Sequence, residues 1–161
     1  MLFDSPVFAP PEEVRQEWID LNGHLNMAYY NVLFDHAVDH LFEKLNCGPE
    51  CIEQRKLSFF TAEAHVRYVR EVHAGDMTRC SLQLVNHDAK RLHLYQELFH
   101  TDGWLSATSE TLLLHIDMNV RKVATIPDDI REKIDALAAA HQSLPQPATI
   151  GRGIALKRQQ P

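Results

Sequence analysis

Long apolar runs are missing from this 161-residue chain. Nothing approaches the eighteen or so consecutive hydrophobic residues of a membrane-spanning helix, so no membrane partner is expected. Basic charge is short as well: Lys and Arg number 16 against 22 Asp and Glu, for a net charge of -6. Nucleic-acid binding needs clustered cations along the phosphates and is not expected, although a local basic patch for a smaller anion is compatible with these totals. Cysteine is scarce. Cys47, Cys51 and Cys80 are an odd number with no CxxC pair, and Met1 to Glu13 carries no basic region followed by an apolar one. The expectation is a cytoplasmic chain with reduced thiols. Glycine totals six, and neither a Gly-rich phosphate loop nor a GxSxG elbow occurs, which leaves P-loop and serine-hydrolase readings unsupported. His36 and His40 stand one helical turn apart beside Asp35 and Asp39, but no HExxH frame or third ligand accompanies them. They read as polar helix surface, and no metal or redox cofactor is expected.

What is present reads as one α+β domain over residues 1–161, with a core at about 11–142 and a loosely attached tail at 143–161. The segment before Pro11 reads as an extended arm, and Val14 to Ile19 as a short strand. Asn26 is a good N-cap for a helix from Met27 to Leu45, whose wide apolar face suits burial against a sheet; Gly48 and Pro49 end it. A short helical turn follows near Cys51 to Arg55. The period then changes, and strands are predicted over Ser58 to Val72, Thr78 to His87, Leu92 to Thr101 and Trp104 to Asp117. Ala74-Gly75-Asp76, Asp88-Ala89-Lys90 and Asp102-Gly103 read as tight turns joining them in sequence. A short strand near Val120 to Thr125 and a helix over Asp128 to Ala140 complete the plan. One helix covers only one face of such a sheet and its edges need partners, so a homodimer or a dimer of dimers is expected.

Chemistry concentrates in Asp20-Leu21-Asn22-Gly23-His24-Leu25-Asn26, directly ahead of the long helix. A helix N-terminus presents free N–H groups that polarise a carbonyl oxygen, and a carboxylate beside it can attack the carbonyl carbon or activate a water. The competing reading makes Asp20 a loop residue that hydrogen-bonds its own backbone as an Asx-turn. Spacing alone leaves both open.

The DxxGHxN stretch, with the following Tyr29-Tyr30 and Phe34-Asp35-His36-Ala37, resembles the 4-hydroxybenzoyl-CoA thioesterase family of hotdog folds. His65-Val66-Arg67-Tyr68 leading into Ala74-Gly75-Asp76, and the closing strand with Glu110 and Leu112 to His115, carry the same resemblance. It implies an antiparallel sheet wrapped around the long helix, an acyl-CoA substrate and a site at a subunit interface. Asp20 matches the catalytic carboxylate and Met27 the residue whose amide polarises the thioester carbonyl. Gly23 matches the turn glycine. His24 joins the catalytic set either by orienting Asp20 or a water, or as a structural histidine. Asn26 is a cap first and a substrate contact second. Tyr30, Phe34 and Asp35 are placed at the acyl group, and Lys90 with Arg91 at the CoA phosphates. The run from Trp18 through Tyr30, with Gly151-Arg152, further resembles thioesterases found beside carnitine dehydrogenases, a group associated with betainyl-CoA. That implies a box of aromatics around a cation, drawn from Trp18, Tyr29, Tyr30, Phe34, Phe59, Phe60, Tyr68 and Trp104, with Asp35 completing the charge. Two alternatives accompany this reading: a hotdog enoyl-CoA hydratase, and a non-enzymatic acyl-CoA-binding module.

Overall fold

Asn26 starts the long helix as its side chain predicts. In the computed structural model, which describes residues 3–156, its carboxamide oxygen accepts the Ala28 N–H at 2.9 Å and α1 runs from Met27 to Lys44. Tyr30, Leu33, Phe34, Ala37, Val38, Leu41 and Phe42 are its buried face, at spacings of three and four. Each large side chain there contributes roughly 1.5–3 kcal/mol, against about 1 kcal/mol for the cap, so packing holds the helix and the cap fixes where it begins.

The sheet contains β1 (Val7–Phe8), β2 (Glu12–Glu13), β3 (Leu57–Tyr68), β4 (Met77–His87), β5 (Arg91–His100), β6 (Leu105–Asp117) and β7 (Lys122–Val123), all paired antiparallel. Its main order is β1-β4-β5-β6-β3, with β2 on β4 and β7 on β6. Leu92, Leu94, Gln96 and Leu98 of β5 turn toward α1 and are buried. Gln96 ties the layers by donating to the Phe34 carbonyl at 2.9 Å. Two shorter helices, α2 (Pro49–Arg55) and α3 (Asp128–His141), finish the chain's core.

Four expectations change. Val14 to Ile19 is not a strand: β2 ends at Glu13, and Gln16–Trp18 forms a 3-10 turn that buries Trp18. The predicted first long strand stops at Tyr68 rather than Val72, because residues 69–76 leave the sheet to pack behind the loop at Asp20. β3 is not the neighbour of β4; it crosses over and pairs with β6, since the turn at Gly75 closes onto Val14 instead of making a hairpin. The tail is tied down through residue 151. Pro145 accepts from Gln83 at 3.2 Å, Thr149 meets the Tyr95 hydroxyl at 2.6 Å, and the Gly151 N–H donates to Glu110 at 2.9 Å. The last five residues of the expected tail lie outside the described residues.

Candidate active site

The loop before α1 is a small closed hairpin. Ile19 and Leu25 form an antiparallel bridge, Asp20 N–H donates to His24 O at 3.1 Å, and Gly23 N–H donates to Asp20 O at 3.0 Å. Gly23 sits at φ +81°, the left-handed conformation this turn requires. The Asn22 N–H donates to Asp20 Oδ1 at 2.8 Å. The Asx-turn and the chemical reading therefore coexist: one carboxylate oxygen is held by the backbone, while Oδ2 has no partner among the described residues.

The receiving end of α1 is equally defined. Ala28 N–H is capped by Asn26, and Tyr29 N–H reaches Asn26 O at 3.0 Å. The Met27 N–H has no acceptor among the described residues. Met27 itself is 64% exposed. The Tyr68 hydroxyl donates to the Met27 carbonyl at 3.1 Å and fixes the adjacent peptide. Burial raises the pKa of Tyr68, with Tyr30 adding to the effect, so the phenol is the neutral donor this bond needs. Tyr68 was foreseen as one aromatic among several; its bond to Met27 carries no sequence signal.

His24 is half-buried between two partners. Its Nδ1 lies 3.1 Å from the Leu25 carbonyl, which can only accept, so Nδ1 carries a proton there. Its Nε2 is 3.9 Å from Glu71, which also lies 3.4 Å from His73. Glu71 belongs to the segment whose Val72 carbonyl accepts Leu25 N–H at 2.9 Å. Sequence reading missed it, since nothing in residues 69–76 marks them as the rear wall of this loop.

The other expected residues separate. Tyr30 and Phe34 are both 3% exposed and face the core. Burial raises the Tyr30 pKa, with hydrogen bonds to Ser106 and the Val72 backbone opposing it in part. Asp35 lies on the exposed stripe Met27, Asn31, Asp35 and Asp39, two turns and roughly 12 Å beyond Met27. The aromatics form distinct groups rather than one box: Trp18 stacks on Tyr29 at 5.5 Å, Tyr30 meets Tyr68 edge-on at 5.0 Å, and Phe59 packs with Phe42 and His115. Trp104 stacks on His100 under the Arg70 guanidinium. Lys90 and Arg91 stand at the opposite end of the sheet. Arg91 Nε donates to Asp88 at 2.7 Å, which holds the Asp88 carboxyl below its usual range. Lys90 makes no ion pair among the described residues. Arg91 pairs with Leu114 of β6, whereas Ser106 of β6 accepts from the segment behind Asp20. Eight residues of strand, roughly 27 Å, separate the two.

The family model described as the thioesterase-like superfamily matches residues 14–134. The chain belongs to that superfamily. Its helix wrapped by an antiparallel sheet is the hotdog fold, and the turn at Asp20 and the start of α1 both lie within the matched span. A betainyl-CoA thioesterase of Pseudomonas aeruginosa is 35% identical over 144 residues, covering 89% of this chain and 91% of that protein. An L-carnitine dehydrogenase/betainyl-CoA thioesterase of Ruegeria pomeroyi is 32% identical over 150 residues, 93% of this chain; the chain spans 30% of that longer protein. Among solved structures, a hypothetical protein of Staphylococcus aureus in complex with CoA superposes with a TM-score of 0.89 at 26% identity, covering 96% of this chain and 98% of that one. The two relatives named betainyl-CoA thioesterases carry in that name a CoA thioester as their substrate, and a carboxylate with a free oxygen together with a helix amide without an acceptor suits thioester chemistry.

Proposed function

We propose that this superfamily member hydrolyses a short acyl-CoA thioester to the free acid and CoA, with betainyl-CoA as its substrate. The observation that carries the reading is at the entry to α1: Asp20 has one oxygen held by Asn22 N–H and one free, and the helix that follows its hairpin opens with a Met27 N–H that has no acceptor among the described residues. The thioester carbonyl oxygen accepts from the Met27 amide, which polarises the carbon. Asp20 then attacks it, giving an acyl-aspartyl anhydride that water cleaves to the free acid, or takes a proton from the water that attacks directly; in both routes the CoA thiolate departs. Both routes use the same two groups. Betainyl-CoA is proposed from the names of the two relatives, both of which carry it.

The proposal includes a homodimer. β4 is a closed edge, with β1 on Leu82 and Ser81, β2 on Thr78 and Met77, and the His141 ring accepting from Leu84 N–H at 2.9 Å. β3 is the open edge, and Thr61 to Ala64 at its middle are exposed. Leu21, Met27, Tyr68 and Val69 leave apolar surface uncovered around the site. A second copy on this edge supports both observations. The separation of Lys90 and Arg91 from Asp20 within one protomer supports their serving the partner's substrate.

The test is thiol release over betainyl-, acetyl-, benzoyl- and hexanoyl-CoA with wild type and Asp20→Asn in parallel. Turnover fastest on betainyl-CoA and lost in the variant is expected. Undiminished turnover in Asp20→Asn refutes the mechanism, and preference for a neutral acyl chain refutes the substrate.

A further inference from the structure

The five residues from Tyr68 to Val72 touch both halves of the proposed site. At their start, the Tyr68 hydroxyl donates to the Met27 carbonyl at 3.1 Å. At their end, the Val72 carbonyl accepts from Leu25 N–H at 2.9 Å, in the hairpin that carries Asp20. Between the two contacts the segment is fastened to β6. Val69 N–H and Arg70 N–H both donate to the Ser106 carbonyl, at 2.9 and 3.0 Å, and the Ser106 hydroxyl donates back to the Arg70 carbonyl at 2.7 Å. Ser106 and Val72 are fully buried. The Tyr30 hydroxyl, hydrogen-bonded to the Ser106 side chain and the Val72 backbone, ties α1 to the same point. The Tyr68 ring packs edge-on against Tyr30, with centroids 5.0 Å apart, so its placement does not depend on the hydroxyl alone.

Two peptide planes flank Met27 and together set the direction of its N–H. In the first, the Asn26 carbonyl accepts from Tyr29 N–H at 3.0 Å. The second, between Met27 and Ala28, is gripped at both ends: Asn26 Oδ1 accepts the Ala28 N–H at 2.9 Å, and the Tyr68 hydroxyl holds the Met27 carbonyl. A planar group held at both ends cannot swing about its long axis, whereas an unsupported first helical turn frays. Tyr68 is 46% exposed, so water can replace it as a donor and the bond adds little to stability. Water does not replace a donor held in one direction by the sheet.

We propose that Tyr68 is a positioning residue for the hydrolysis: its hydroxyl, carried on a segment braced by Ser106, aims the Met27 amide from the same support that holds the Asp20 hairpin. The inference rests on the reading that the Met27 amide polarises the thioester carbonyl. Tyr68 acts through that peptide and not on the substrate, so its loss belongs in kcat and not in KM.

Tyr68→Phe removes one oxygen and keeps the ring on Tyr30. In thiol release from betainyl-CoA by the full chain, kcat is expected to fall roughly tenfold with KM and the urea midpoint nearly unchanged. Asn26→Ala releases the other end of the same peptide, so the kcat losses of the two variants should not multiply in the double variant. A readout without turnover accompanies these: by 15N relaxation of the full chain, the order of the Met27 and Ala28 amides should drop in Tyr68→Phe, while that of Val38 in mid-helix stays as in wild type. An unchanged kcat, a raised KM at constant kcat, or unchanged order at Met27 and Ala28 would each overturn the inference. Asp20→Asn in the same assay separates the two readings. Turnover lost in Asp20→Asn but kept in Tyr68→Phe removes the role of Tyr68 alone; the reverse removes the role of Asp20 and leaves Tyr68 in place. If wild type cleaves none of the four esters, the proposed function falls, and the order at Met27 and Ala28 still decides whether Tyr68 holds that peptide.

Discussion

Asp20 uses its two oxygens for different tasks, and one substitution separates them. In Asp20→Asn the amide oxygen still accepts from Asn22 N–H, so the turn survives and stability should stay within about 0.5 kcal/mol of wild type by urea unfolding. The free oxygen becomes an NH2 that neither attacks nor takes a proton, and kcat should fall by roughly 10²–10⁴-fold. A comparable fall in unfolding midpoint would mean that the carboxylate serves the turn alone. Gly23 shows the reverse division. A Cβ built there meets nothing within 4 Å, so Gly23→Ala has no clash to relieve and carries only the backbone cost of φ +81°, about 1–2 kcal/mol in the same unfolding measurement. The thiols take no part: burial pushes Cys47 and Cys80 up to about 12, which fits their reading as inert reduced side chains.

The start of α1 joins stability to chemistry. Asn26→Ala removes the acceptor for Ala28 N–H and should cost about 1 kcal/mol. It also leaves the first turn free to fray, so the Met27 amide loses its fixed direction and kcat should fall more than KM rises. Asn26→Asp keeps an acceptor in place and should restore most of the stability; a variant that is destabilised yet turns over normally would dissociate the Met27 amide from catalysis. This element was legible in the sequence because its signals are local: a capping side chain, a 3.6-residue period and a glycine-proline stop. The hairpins β4-β5 and β5-β6 were legible for the same reason. The place of β3 was not, since Ala74-Gly75-Asp76 reads alike whether it closes a hairpin or ends a crossover, and only pairing with β6 across some forty residues decides it. Asp20, Asn26 and Met27 could be read together because they fall within eight residues of sequence. Glu71 escaped notice because it is brought to the loop by contacts between distant segments.

α3 and β4 are coupled through a histidine whose protonation state the fold selects. Leu84 N–H donates to His141 Nδ1 at 2.9 Å, and Nε2 lies 3.2 Å from the Asp4 carbonyl, so the ring is neutral with its proton on Nε2. Burial lowers the pKa of His141 from the ordinary 6.5, and His115 is lowered for the same first reason. A depressed value in the fold means that the unfolded chain binds the proton first. Stability from this group is full above about 6.5 and is lost as pH falls below that value, by at most about 1.4 kcal/mol per pH unit per histidine. Glu97, raised by burial, works in the opposite direction at lower pH, so wild type alone gives a blunted slope. The informative measurement compares wild type with His141→Asn by urea unfolding from about pH 7.5 to 5.5. Asparagine keeps an acceptor for Leu84 N–H but does not titrate, so the advantage of wild type should shrink by roughly 1 kcal/mol over that interval. A constant gap would place the titration elsewhere.

At the scale of the molecule, the sheet is asymmetric. Three separate devices cover β4, while β3 presents a twelve-residue edge with an exposed middle, the kind of surface that pairs with another strand unless something blocks it. A second copy brought to that edge about a two-fold axis would run antiparallel to the first, so residues near its centre would meet their own counterparts. The end of one β3 at Tyr68, beside the Asp20 loop, would then lie near the start of the other at Leu57, toward the Lys90 turn. That arrangement closes the roughly 27 Å gap between Asp20 and Lys90 that a single protomer leaves open. Charge at the centre tests it. Ala62→Glu with Ala64→Glu sets like charges against each other across the two-fold axis, while both positions are exposed in the protomer and should not disturb its fold. Sedimentation should show wild type as a dimer or larger and the double variant as a monomer with an unchanged thermal midpoint at high dilution. KM for the CoA ester should rise in the monomer as the partner's Lys90 is lost, and Lys90→Glu in the wild-type background should raise KM similarly with kcat nearly unchanged. A monomeric wild type that turns over at full rate would show that one protomer holds the whole site.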